Sequence, residues 1–454
     1  MQSRRDFIKK TAAILGVMAI DQEMFSKPVH AKPKTMEARS TVYRAVNGKA
    51  EENLIKVMEM MGGIEKIVGQ HDVIVIKPNA QWWNQGAPNL NALRTFVDLI
   101  MNRPGGFKGE VVIAENCHRG SEPWKSFDSS WASHFDRNSD ARNISNLNDL
   151  SDHLKKQHAE KFSTCHWIDV EAGNKRVSGP QEGLGYVYCD GTGGVPLLKF
   201  ENGGQGKGRR SVIMTYPIFA TDKGTVVDFK NGVWEKGAYT GQPLKFINFA
   251  ALNHHSVYCG ATSAIKNYLG ITDLSGGPDP HNGGRLTAEY YNFHSFPFDK
   301  WAPGPVPGMI GAEIGYFMKT IRKADLNIVT AEWVGLSSRV DSPVARTRAV
   351  LASTDPVALD YHSAKYALYP NSRLRIHDPD DRKSPLHQYL VKCAEQGGGV
   401  LDEKYVKVES YDFLTEKIQK DEDLVVHAER QWGTNPKAIL KYLYLRYGLT
   451  GSTG

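Results

Sequence analysis

The sequence predicts an α/β fold: a mostly parallel sheet flanked by helices, with a large irregular insertion and a mixed C-terminal extension. Asp72 to Ile76 (DVIVI) and Gly109 to Ala114 (GEVVIA) are short, β-branched apolar runs, the pattern of strands buried on both faces of a parallel sheet. Before the first run, Leu54, Val57, Met58, Met61 and Ile64 recur at helical spacing, and Asn89 to Met101 is helical between the two. Helix, strand, helix, strand is the alternation of a βαβ sheet.

Taken from the start, Ser3, Arg4, Arg5, Asp6 and Phe7 precede a modest apolar run from Ala12 to Ile20, and Val29, His30, Ala31 offer a small-residue cleavage site. This order resembles a twin-arginine export signal over residues 1–31, so the expected location is the periplasm or another extracytoplasmic space. The apolar run is too short to span a bilayer, and no later segment is apolar enough, so no membrane span is expected after cleavage. The full chain of 454 residues carries a formal net charge of +6, and losing five basic and three acidic residues with the leader leaves about +4. So mild a balance, without a clustered basic face, argues against a nucleic-acid partner. The expected partners are the twin-arginine export machinery and a small-molecule ligand. Five widely spread cysteines, Cys117, Cys165, Cys189, Cys259 and Cys393, include no CxxC pair, which excludes an iron–sulfur module and a zinc ribbon by spacing. Four of them have the option of two disulfides in an oxidising compartment.

Lys77 and Asn79 follow the first predicted strand, and Glu115 and Asn116 the second, on the side where sites form in such sheets. Hydrogen bonding within the loop is the plain alternative for the asparagines. Residues 118 to 210 are rich in turn formers, with Trp124, Trp131 and Trp167 interleaved, and read as the insertion. Gly203 to Arg210 (GGQGKGRR) lacks the preceding strand and the GK[ST] ending of a phosphate cradle, and reads as a hairpin tip. Ser275 to Leu286 is a Gly/Pro-rich loop carrying Asp279, His281 and Arg285, either surface punctuation, a lid or a source of metal ligands. Met309 to Ala324 reads as a helix, and Leu326 to Thr330 and Arg348 to Ala352 as strands. Thr354 or Asp355 then caps a helix with Pro356 in its first position, running to about Leu368. These elements make 32–368 one α/β domain; 369–454 is the extension, ending in an amphipathic helix from Pro436 to Tyr447.

The densest chemistry lies in Lys245 to Gly270. Phe246 to Leu252 reads as a buried strand, Ala261 to Gly270 as a helix, and Asn253 to Cys259 as the connection at the strand's carboxyl end. That connection holds His254, His255 and Cys259, and the helix holds Thr262, Lys266 and Asn267. Adjacent histidines are often surface residues, and a lone cysteine is more often a small buried hydrophobe. His254 and His255 cannot face the same way on a regular element.

Three stretches together resemble the DUF362 family, whose members are uncharacterised: Ile76, Lys77, Pro78, Asn79; the histidine loop followed by Thr262 and by Ile265 to Gly270 (IKNYLG); and Asp355 to Asp360 (DPVALD). The resemblance covers about residues 72 to 368 and implies an α/β fold with one site built from those stretches. Where many members carry a lysine two residues before the loop histidine, this chain has Asn253. The cysteine module of some members is absent, so their suspected electron-transfer role is not carried over.

The functional expectation is an exported enzyme acting on a small anionic or hydroxylated molecule. In it His255 and Lys266 are catalytic, His255 as general acid or base, Lys77 and Lys266 hold the anion, and Asn79 and Asn267 contact the substrate. A divalent metal held by His255 with His254, Cys259 or His281 is a variant of this reading. The rival is a periplasmic ligand-binding or accessory protein without turnover, which the change to Asn253 favours.

Overall fold

The computed structural model describes residues 37–116, 118, 120–201, 211–275, 293, 308–419 and 424–447. The leader, the 203–210 tip and the loop carrying Asp279, His281 and Arg285 lie outside these residues. In chain order the main elements are β1 (Ser40–Val46), α1 (Ala50–Met60), β2 (Val73–Pro78), α2 (Leu90–Met101), β3 (Glu110–Glu115), α3 (Leu147–Gln157), β4 (Phe162–His166), β5 (Leu244–Ala251), β6 (Asn253–His254), β7 (Ala261–Thr262), α4 (Ala264–Asn267), α5 (Met309–Thr320), β8 (Leu326–Gly335), β9 (Val344–Ser353), α6 (Pro356–Ser363), α7 (Pro385–Glu395), β10 (Val406–Asp412), β11 (Lys417–Gln419), β12 (Arg430–Gln431) and α8 (Pro436–Tyr447).

Ten of these strands form one sheet in the order β11-β10-β1-β9-β8-β5-β2-β3-β4, with β12 paired to β9. From β8 to β4 every neighbour is parallel, as the buried apolar runs require. Strand alternation splits the core in two: Ile74, Ile76, Val111 and Ile113 face Leu54, Leu93, Phe96 and Leu150 of α1, α2 and α3. Val73, Val75, Val112 and Phe246 face the opposite way, toward α5, α6, α7 and a second sheet. The mostly parallel α/β architecture expected from the sequence is therefore present.

Three stretches differ from their sequence reading. Within 118–210, α3 and β4 continue the main sheet, β4 pairing parallel with β3; its residues alternate poorly because β4 is an edge strand, buried only at Phe162 and Ser163. Part of the remainder builds the second, six-stranded sheet that runs from Arg176–Val177 to Ala238–Tyr239. The segment 369–454 likewise supplies β10, parallel to β1 with Ser40 opposite Val406. Finally, the helix expected from Ala261 to Gly270 is a hairpin of β6 and β7, then a four-residue α4 and a 3-10 turn at Tyr268–Ile271. Gly260, at φ +74°, turns that hairpin, and the His255 amide donates to its carbonyl at 2.8 Å.

Capping follows the sequence closely. Asn89 accepts the Ala92 amide at 3.0 Å to start α2, and Asp355 accepts the Val357 and Ala358 amides at 3.0 Å ahead of Pro356. The first helix stops early, at Met60, because Gly62 and Gly63 take φ of +92° and +98°.

Candidate functional site

The chain leaves β2 toward β3 and β4 on one side, and returns with β5 on the other side of β2. Connections after β2 and β5 therefore diverge and leave a crevice at the carboxyl ends of two adjacent parallel strands, the usual ligand position in such sheets. A cleft of about 540 Å³, partly open to solvent, occupies it. Asn79 to Trp82 line it from after β2, Asn116 and His118 from after β3, and His255, Thr262 and Lys266 from after β5, while Arg339 reaches in from beyond β8.

Its floor is a buried polar network. Lys77, 1% exposed, is ion-paired with Glu115 and donates to Asn267 Oδ1 and, at 3.1 Å, to the Pro78 carbonyl. Asn267 Nδ2 in turn donates to the Lys77 carbonyl at 2.9 Å and to Asn248 Oδ1 at 2.8 Å, and Asn248 donates to Asn327 at 2.8 Å. Burial pushes the Glu115 carboxyl up to about 8, the Lys77 ammonium offsetting only part of that cost. Gly270 packs directly on this pair: a Cβ there would sit 1.8 Å from Glu115 Oε1.

Lys266 lies on the wall above. Asp360 of α6 accepts the Ala264 and Ile265 amides, which fixes the short α4 that carries it. The Lys266 side chain is 8% exposed and makes no hydrogen bond or ion pair among the described residues. Burial, with repulsion from Arg339 and Lys77, pulls its ammonium down to about 8.

Two histidines line the same cleft. His255 Nδ1 accepts the Ser256 amide at 2.7 Å, which puts the proton of its neutral ring on Nε2. His118 is set the other way: its Nδ1 lies 2.5 Å from Asp169 Oδ2, so the neutral ring donates from Nδ1 and keeps Nε2 as its base. Asp169 is itself held by Asn116 Nδ2 at 2.6 Å and the Leu274 amide at 2.8 Å. Burial alone would raise Asp169, yet the His118 bond and charge outweigh it and hold the carboxyl below its usual range. Its neighbour Asp273 goes the opposite way, pushed up to about 7 by burial and by the Asp169 charge.

The residues singled out from sequence fall out as follows. Lys77, Asn79, His255, Lys266 and Asn267 all line this one cleft. Lys77 and Asn267 nevertheless bond within the protein, and Asn79 Oδ1 accepts the Ala251 amide at 2.7 Å. His254, His255 and Cys259 are not gathered into a ligand set, because the hairpin that carries them turns His254 away; His254 pairs with His377 at 3.0 Å, and burial pushes the Cys259 thiol up to about 11. Among the described residues no three His, Cys, Asp or Glu side chains are grouped to hold a metal ion. The four described cysteines, Cys165, Cys189, Cys259 and Cys393, are free thiols. Sequence reasoning missed His118, Asp169, Trp82 and Arg339. His118 had a signal, three residues beyond Glu115 at a strand end; Asp169 had none.

Fold and cleft together define an α/β protein with a cation-lined crevice at the switch point of a parallel sheet. Residues 224–365 match the model of DUF362, a domain of unknown function, the family that the sequence motifs resemble. The match takes in His255, Lys266, Arg339 and Asp360, whereas Lys77, Glu115, His118 and Asp169 precede it. No curated protein and no solved structure matches the chain.

Proposed function

We propose that this is an acid–base enzyme acting on a small anionic molecule. One observation supports it above the others: a nine-tenths-buried Lys266 without a hydrogen-bond or ion-pair partner among the described residues shares a cleft with a histidine oriented by a carboxylate. A buried unpaired charge is costly, so the pocket favours an anion that supplies the missing partner. Arg339 adds a second cation at the rim. With the anion anchored there, His118 Nε2 takes a proton from the adjacent group, and Asp169 stabilises the imidazolium that forms. His255, with its proton on Nε2, serves as a hydrogen-bond donor that polarises the substrate oxygen as charge develops on it.

Proton abstraction can be read without knowing the substrate. A panel of 2-hydroxy and 2-oxo carboxylates is titrated by calorimetry, then incubated in D₂O and followed by NMR for loss of C–H signals. The expected result is binding lost in Lys266→Ala, and exchange lost but binding kept in His118→Asn. Binding with no exchange in the native protein would favour the rival reading, a ligand-binding or accessory protein without turnover. No binding at all would remove the anion site.

Export through the twin-arginine route to the periplasm is part of the proposal, supported by Arg4, Arg5 and Phe7 ahead of a weak apolar run. Replacing both arginines with lysine should trap the precursor in the cytoplasm; unimpaired export of that variant would refute it.

A further inference from the structure

Behind the His118–Asp169 pair stands a second carboxylate, Asp273, which is 2% exposed. Crossed backbone bonds lock the two aspartates together: Asp169 Oδ1 accepts the Leu274 amide at 2.8 Å, and Asp273 Oδ1 accepts the Val170 amide at 3.2 Å. Each carboxylate thus takes the amide that follows the other. Asp273 gathers three more donors, the Ser275 amide at 3.1 Å and hydroxyl at 2.7 Å on Oδ1 and the Tyr188 hydroxyl on Oδ2. Four donors on one carboxyl favour its charged form. Asn116 ties this assembly to the histidine, since its Oδ1 accepts the His118 amide at 2.9 Å while its Nδ2 donates to Asp169 at 2.6 Å.

We propose that Asp273 is a positioning residue that sets the base strength of His118, its negative charge acting on the ring through Asp169. This rests on the reading of His118 as the base and adds what regulates it. Asp169 Oδ2 lies 2.5 Å from His118 Nδ1, and a second negative charge directly behind it further favours the imidazolium. Both carboxylates are shielded from water, so that charge is felt strongly. Protonation of Asp273 removes the charge and turns the carboxyl into a donor toward Asp169, which then holds the His118 proton less well.

The change falls in a working range of pH, because burial and the Asp169 charge push Asp273 up to about 7, close to where an ordinary histidine titrates. Most other groups facing the pair keep their charge there. Tyr186 and Tyr188, from the strand Gly185–Tyr188 of the second sheet, are held neutral by burial. Arg176 lies over the Tyr188 ring at 4.6 Å and is ion-paired with Asp190, whose carboxyl is held below its usual range. Glu115, next to Asn116 in the chain, is pushed up to about 8 and pairs with Lys77. Its titration is common to the native protein and to variants at Asp273, so a difference between them does not come from it.

NMR titration of protein carrying isotope-labelled histidine, from about pH 5 to 9, tests this, the His118 ring being the signal absent from His118→Asn. In the native protein the curve should be shallow, because Asp273 takes up its proton in the same range and weakens the ring's hold on its own. Asp273→Asn keeps an oxygen for Val170 and Ser275 but carries no charge, so the midpoint should fall by about one unit and the curve sharpen to a single step. Tyr188→Phe, which removes a donor to the charged Asp273, should shift the midpoint the same way by less. It decides the matter where Asp273→Asn does not fold. Midpoint and slope unchanged in the folded variant overturn the proposal, since a merely structural carboxylate leaves both in place. Deuterium exchange of the carboxylate panel is read separately: no exchange in the native protein, with the midpoint still shifted, removes the base reading and upholds the action of Asp273 on His118.

Discussion

The Asp360 carboxylate lies 2.8 Å from the Ala264 amide and 2.9 Å from that of Ile265, so a residue of α6 holds the one-turn helix that presents Lys266. A helix of four residues cannot hold itself. Burial pushes Asp360 up to about 7 against these amide bonds, so the carboxyl is kept there at some cost.

Asp360→Ala should therefore leave two buried amides without acceptors. The expected loss is about 2–4 kcal/mol in urea denaturation, with weaker phosphate binding in the fraction that folds. An unchanged denaturation midpoint would mean that α4 is held by packing alone.

Gly270 gives a second test. A Cβ at this position would lie 1.8 Å from Glu115 Oε1 and 2.7 Å from Lys77 Nζ, in a pair only 2–3% exposed at the side chains. Neither group has room to retreat. Gly270→Ala should cost about 1–3 kcal/mol by overpacking and should weaken anion binding by displacing the cleft floor. Thermal unfolding with and without phosphate reads both effects.

What was legible in the sequence, and what was not, divides along range. Val73 to Ile76 and Val111 to Ala114 are buried on both faces, so hydrophobicity alone marks them as strands. Asp355 ahead of Pro356 is a local cap signal, and the helix follows. The edge strands β4 and β10 carry polar residues on their open sides, and their sheet membership is set by pairing with distant strands. The same holds in the site. His255 and Lys266 stand out because one loop carries them, whereas Asp169 meets His118 across 51 residues and Arg339 meets Trp82 across more. Lys77 looked available for a ligand because nothing near it in sequence announces that Glu115 and Asn267 occupy its ammonium.

Asp355→Ala should act on stability and spare the cleft. Asp355 caps Val357 and Ala358 and also accepts the Val400 amide at 2.8 Å, tying α6 to the C-terminal segment. The expected cost is about 2 kcal/mol, the upper part of the range for an N-cap. Anion affinity measured on the folded variant should equal that of the native protein; its loss would place Asp355 in the site.

Lys266→Met separates stability from binding, and pH supplies the sign. The folded ammonium titrates near 8 against an ordinary 10.5. Above about pH 10.5 neither state is charged and burial exacts no charge penalty. As the pH falls from there to 8, the unfolded chain takes up a proton that the folded chain does not, so stability falls by about 1.4 kcal/mol per pH unit. Below 8 both states carry the proton and the penalty is constant, up to about 3 kcal/mol. A methionine of similar shape removes it. The variant should thus be more stable than the native protein at pH 7, with the difference shrinking toward zero by about pH 10.5, and it should no longer bind phosphate or acetate. In the native protein, affinity for acetate should be level below pH 8 and decline as the pH rises through it, because Lys266 attracts the anion as the ammonium and not as the neutral amine. Denaturation and calorimetry across pH 6 to 10 check both curves. A variant less stable at pH 7 would mean that Lys266 already has a stabilising partner, and the anion reading would lose its main support.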